Sequence, residues 1–226
     1  MVWADTLGHK FTQGYALWWG GCMPSMVRRD FEQLADHARE LSILSEAEGF
    51  QPWPALANFG LSFSRFAGIG DSLTAGDLKN ISDFHEPSRL QMLMPFFSSL
   101  AAEMLATEGN RDVTLTRFDD AVRLTEETYE TWAEPEILRM RGCLLLESNG
   151  REDEAEADFC NSLDLARTQQ AKLWELRTSI ALAQLWQTQG KRQDAHDLLA
   201  PVYDWFTEGY ETADLRDAKA LLDALK

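Results

Sequence analysis

Between Ile180 and Phe206 the chain reads IALAQLWQTQGKRQDAHDLLAPVYDWF, and two helical patterns meet there at a single glycine. Leu182, Leu185 and Trp186 recur at helical spacing, Gly190 interrupts them, and Ala195, Leu198, Leu199, Val202 and Tyr203 resume the period. This predicts a helical hairpin, turned at glycine because the absence of a Cβ removes the penalty on a left-handed backbone.

The same alternation fills most of the chain. Phe11, Tyr15, Trp18, Trp19 and Cys22 predict a helix from Leu7 to Met23, ended by Pro24 and Ser25. Phe31, Leu34, Ala38, Leu41 and Leu44 predict a second from Met26 to Glu48, closed by Gly49. Leu56, Phe59, Phe63 and Phe66 mark a third, and after the turn at Gly68 to Gly70 a weaker pattern carries Leu73, Leu78 and Ile81. Pro95 opens a helix running to Gly109, and Leu115, Phe118, Val122 and Leu124 mark its partner. Pro135 opens the next, Asn149 and Gly150 turn the chain, and Glu152, Asp153 and Glu154 suit the positive end of the helix that follows. The last amphipathic stretch, Ala213 to Leu225, reads as a terminal cap.

Four turn glycines, Gly70, Gly109, Gly150 and Gly190, stand 39, 41 and 40 residues apart. Behind three of them the same offsets hold Thr114, Phe118 and Ala121, then Ala155, Phe159 and Ser162, then Ala195, Leu199 and Val202. Small, large, small is what close packing of a second helix on a first demands, and Leu105, Leu146 and Trp186 take the matching core site of the preceding helix. The fold expected is all-α: a right-handed α-solenoid of about five antiparallel helix pairs with a period of about 40 and a C-terminal capping helix. The pairs fall at 7–49, 50–88, 92–131, 134–170 and 171–208, with the cap at 211–226, in one repeat domain over 1–226.

Composition narrows the setting. With 45% apolar residues in 226, the chain can bury a real core, and no apolar run is long enough to span a bilayer. Met1 to Lys10 lacks the basic start and apolar stretch of a secretion signal, so the expected compartment is the cytoplasm. Cys22, Cys143 and Cys160 are odd in number and without a CxxC pair, which argues for buried small residues rather than a disulfide or zinc framework. A formal charge of −16 repels phosphate backbones and anionic membranes, so neither nucleic acid nor membrane is an expected partner.

The periodic pattern resembles that of tetratricopeptide repeats, although its period is longer than that family's. Phrases such as LGHKFTQGYAL, AKLWELR, LAQLWQTQGKRQDAHDLLAPVYDWFTEG and TADLRDAKALL are similar to the C-terminal repeat region of bacterial adenylate/guanylate cyclase-like signalling proteins. In those proteins the repeats follow a cyclase-like domain and a predicted ATPase. The resemblance implies a sensor or protein-interaction arm, not the chemistry of the preceding domains; no GxxxxGK[ST] phosphate loop occurs here. Val2 to Thr6 resembles the end of a helix whose partner is absent, which fits either a fragment or a short independent gene.

One motif points elsewhere. Gly70-Asp71-Ser72-Leu73-Thr74-Ala75-Gly76 matches the nucleophile block of the GDSL lipases and esterases, where the serine needs a histidine oriented by an aspartate. That block follows a buried strand, whereas Ser62 to Ile69 ends a helical pattern; Gly109 to Asp112 and Asp194 to His196 only approximate the family's later blocks. The alternative is an inter-helix turn with Asp71 or Ser72 as N-cap. His9, His37, His85 and His196 are scattered and predict no metal site, nor does any motif call for a cofactor. Trp174, Trp186 and Trp205 fit buried repeat positions, while Trp18 and Trp19, being adjacent, cannot share one helix face.

The expected function is therefore a non-catalytic protein- or peptide-binding module, with a small-molecule sensor as the alternative and a Ser72 hydrolase as the remote one. First helices of solenoid pairs commonly line the concave side, which places Trp19, Ser64, Glu103, Glu147 and Gln184 in the expected groove. The two carboxylates there favour a basic ligand. An array with no N-terminal cap leaves an apolar face, so Phe11, Tyr15 and Trp18, within Leu7 to Trp19, are the expected contact with a second copy or another polypeptide.

Overall fold

A computed structural model describes residues 8–49, 52–77, 93–106, 111–148 and 150–226. Leu7, Leu78, Ile81, His85, Gly109, Asn110, Asn149 and the segment Val2 to Thr6 lie outside the described residues. Among those described there are eleven α-helices and no strand, and the helices pack in adjacent pairs, as the apolar pattern predicts. Contacts divide the chain into two compact units, Met1–Met92 and Leu93–Lys226.

In the first unit, α1 (Lys10–Leu17) passes through a π-helical turn (Trp18–Cys22) into α2 (Met23–Arg28), and α3 (Phe31–Glu48) packs against both and against α4 (Trp53–Phe66). The break expected at Pro24 and Ser25 lies instead at Arg29, whose φ of 54° is left-handed, and at Asp30, which caps α3 by accepting from the Gln33 amide. Pro24 is the second residue of α2, directly after the π-helical turn. The glycines of this stretch serve packing. A Cβ on Gly14 would stand 3.1 Å from Trp53 Nε1, and one on Gly21 would stand 2.8 Å from His37 Cγ.

The second unit follows the repeat. Its pairs are α5 (Met94–Leu105) with α6 (Arg111–Thr128), α7 (Glu134–Leu146) with α8 (Glu152–Thr168), and α9 (Lys172–Thr188) with α10 (Arg192–Asp204); α11 (Ala213–Leu225) closes on α9 and α10. Gly70, Gly150 and Gly190 have φ of 82°, 81° and 81°, the left-handed geometry expected of the turns. Every residue of the small, large, small series is buried, including Thr114, Phe118 and Ala121. Of the matching sites on the first helices Leu105 is buried as expected, whereas Leu146 and Trp186 are half-buried and their neighbours Leu145 and Leu185 take the buried place.

Successive first helices pack on one another, α5 on α7, α7 on α9 and α9 on α11. They form an inner layer, and α7 and α9 accordingly bury residues on more than one face. Leu215, Ala218, Leu221, Leu222 and Leu225 of α11 join Leu176, Ala183, Ala195, Leu199 and Val202 in one apolar cluster, so the cap occupies the place that a further pair would take.

Candidate functional site

The inner layer of the second unit carries charge where an apolar surface would be cheapest. Glu136 on α7 is almost fully buried; its carboxylate accepts from Arg139 Nε at 2.7 Å and Nη2 at 2.9 Å. Arg177 on α9 reaches the same carboxylate at 3.3 Å, then grips Asp214 on α11 with two bonds of 2.8 and 2.9 Å. Its guanidinium also lies 5.4 Å from the centre of the Trp174 ring, whose Nε1 donates to the carbonyl of Trp132. Burial is the largest single influence on either arginine and draws its pKa down. The charge of Glu136 and the hydrogen bonds to Glu136 or Asp214 together outweigh burial, and the pKa of each is raised; for Arg139 the carboxylate of Glu103 on α5 contributes further. Acid and base therefore alternate across four successive inner helices, from Glu103 through Arg139, Glu136 and Arg177 to Asp214.

A second set of ties runs outward. Arg141, two residues from Arg139 and so on another face of α7, holds Asp158 of α8 with two bonds of 2.8 and 2.7 Å and Asp119 of α6 with one of 2.8 Å. Glu156 of α8 accepts from Trp186 Nε1 at 2.7 Å and has Lys191 at 3.7 Å. The indole bond is the largest reason that the Glu156 carboxyl is held below its ordinary pKa.

Against this layout the expected groove is redrawn. Ser64 is buried, and its hydroxyl donates to the carbonyl of Gly60, so it presents nothing to a ligand. Glu103 is half-buried and acts on Arg139, while Glu147 is exposed at the end of α7 and pairs with Arg111 at 3.5 Å. Gln184 is exposed on α9. In the first unit Trp19 is half-buried beside Tyr15, 6.0 Å between ring centres. Of the expected partner face, Phe11 is 43% and Tyr15 53% exposed, but Trp18 is buried: its amide donates to the Gly14 carbonyl in ordinary helical register, one turn on from that buried glycine. Trp205 is 56% exposed rather than buried. Of the cysteines only Cys22 is fully buried, its thiol pushed up to about 12 chiefly by desolvation; Cys160 is exposed.

The Gly70 to Gly76 block follows α4, and the cap is neither Asp71 nor Ser72. Thr74 is: its amide and hydroxyl donate to Asp77 Oδ2 at 2.9 and 2.6 Å, and the Asp77 amide donates back to the threonine hydroxyl. Ser62 and Arg65 of α4 complete the shell of Asp77. Burial draws this carboxyl's pKa upward, but those bonds prevail and hold it below its ordinary value. Ser72 itself is exposed. His9 caps α1, His37 packs at Gly21 and His196 lies beside Asp197. Among the described residues no three His, Cys, Asp or Glu side chains are placed to hold a metal ion.

The pairing of Glu136, Arg177 and Asp214 was not anticipated from sequence, though its signal was there. These charges sit in helices flanked by apolar residues on several sides, and a charge so placed has to find a partner. No protein-family model matches the chain, and no curated protein is significantly similar to it. No described helix is long and apolar enough to cross a membrane.

Proposed function

We propose that the chain is a non-catalytic module that binds a protein or peptide segment, the sensor or interaction arm of a bacterial signalling or transcription-regulating system. The observation that carries this reading is the second unit's division of charge. Its inner arginines are neutralised by neighbouring carboxylates, while the outer helices α6 and α8 expose most of their acids. With 26 acidic against 14 basic residues, this unit has a formal charge of −12. A basic segment is the ligand that such a field attracts. Fluorescence anisotropy with a labelled peptide of alternating arginine and alanine, against its glutamate counterpart, tests it. Saturable binding of the basic peptide alone, weakened by salt, is expected; equal binding of both, or of neither, contradicts it.

The exposed rings of Phe11 and Tyr15 support a contact with a second copy in the first unit. Light scattering at micromolar concentration is expected to give a dimer that Phe11→Ser/Tyr15→Ser converts to a monomer; a monomeric parent chain contradicts this. Turnover of a chromogenic ester, lost in Ser72→Ala, would replace the binding reading with the hydrolase.

A further inference from the structure

Between α10 and α11 the second unit displays two aromatic rings that Tyr203 and Phe206 cover only in part. Trp205 is 56% and Tyr210 48% exposed, a large apolar area to leave in water. The loop is nevertheless built firmly. Phe206 packs on the core cluster, Trp205 stands edge-on to it at 5.1 Å, and the Tyr210 hydroxyl donates to the Phe206 carbonyl. Thr212 closes the turn through its amide and hydroxyl on the Gly209 carbonyl. The rings are thus held in place before anything binds.

Three features of the loop select the partner's charge. Asp204, Glu208 and Glu211 are all exposed, and among the described residues no cationic group stands within ion-pair distance of them. Asp204 is also the last residue of α10, whose final turn holds no basic residue, so its carboxylate adds to the negative end of the helix dipole. The Lys172 ammonium lies 5.6 Å from the centre of the Trp205 ring, a cation–π contact that an incoming arginine or lysine would share or displace. That ammonium is committed to Glu175 at 2.6 Å and leaves the three loop carboxylates unneutralised.

We propose that this loop is the docking point for an arginine- or lysine-bearing segment of a partner protein, its side chains lying over Trp205 and Tyr210 and its charge meeting Asp204, Glu208 and Glu211. The inference rests on the reading of the chain as a receptor for basic segments and adds where the segment sits. The test uses the labelled arginine–alanine peptide and the full chain in four forms: parent, Trp205→Leu/Tyr210→Leu, Asp204→Asn/Glu208→Gln/Glu211→Gln, and, as a control for general charge, Glu32→Gln/Glu40→Gln/Glu48→Gln at exposed positions of α3. Thermal melting verifies that each is folded. Both loop variants are expected to bind about tenfold more weakly than the parent, and the α3 control to bind as the parent does. Loop variants that bind as the parent does, or a control that loses as much as they do, overturn the docking point while leaving basic-segment recognition standing. Loss in the ring variant alone overturns the cationic assignment in favour of an apolar contact. A parent chain that does not bind the peptide overturns both.

Discussion

At Gly142 the fit of one helix pair comes down to a missing methyl group. A Cβ there would lie 2.6 Å from Cε1 of Phe159 and 3.0 Å from its Cδ1, so the ring of the second helix rests directly on the backbone of the first. One period later the corresponding residues are Leu182 and Leu199, both buried, and volume is shared between the helices instead. Gly142→Ala is expected to cost about 1–3 kcal/mol in urea denaturation, and Phe159→Leu in the same chain to recover part of that loss. A different cost is stored at Gln170, an exposed residue held at φ 55° where the chain passes from α8 to α9. Gln170→Gly is expected to stabilise by about 0.5–1 kcal/mol, read as a raised melting temperature, because only glycine adopts that region without steric penalty. Glu156 ties residue chemistry to pH. Its folded pKa lies below the ordinary value of 4.5, so the unfolded chain takes up its proton first as pH falls. The stabilisation is complete above that ordinary value and disappears as pH drops through the folded one. Trp186→Phe, which removes the principal bond, is expected to cost about 1 kcal/mol at neutral pH and to flatten the acid limb of the stability profile.

At the scale of helices, the charge ladder and the apolar register do different work. The apolar series places α7 to α11, and it is legible in sequence because it repeats: Ala155, Phe159 and Ser162 announce Ala195, Leu199 and Val202. The ladder joins residues 41 apart, Glu136 and Arg177, and 37 apart, Arg177 and Asp214. Such partners meet only once the helices have stacked, so nothing local in the sequence pairs them. The N-terminal helices are hard to read from sequence for a related reason. Gly14 and Gly21 weaken the helical signal between Leu7 and Met23, but they admit Trp53 and His37, and the π-helical turn from Trp18 to Cys22 leaves no periodic trace. Removing one member of the ladder is expected to hurt more than removing two. Asp214→Ala strands the buried Arg177 with only its longer contact to Glu136 and is expected to cost about 3 kcal/mol, whereas Arg177→Met/Asp214→Leu recovers most of it. A neutral Asp214→Ala in urea denaturation would show that the ladder does not hold α11.

For the whole molecule, fold and site separate in how far the sequence reveals them. Helical hairpins follow from apolar spacing and left-handed turn glycines, whereas the expected groove depended on which carboxylates were left unpaired. Glu103 and Glu147 turn out to face Arg139 and Arg111, and the negative charge left over sits on the outer helices and on the loop around Trp205. Recognition of basic segments is the claim on which the account stands. Amide hydrogen exchange of the intact chain, with and without a saturating arginine–alanine peptide, tests it most directly. The account predicts slow exchange through the buried helices of 93–226 in both states and added protection on peptide binding around 203–214. Uniformly fast exchange across those helices, or a peptide that protects no segment, would contradict it.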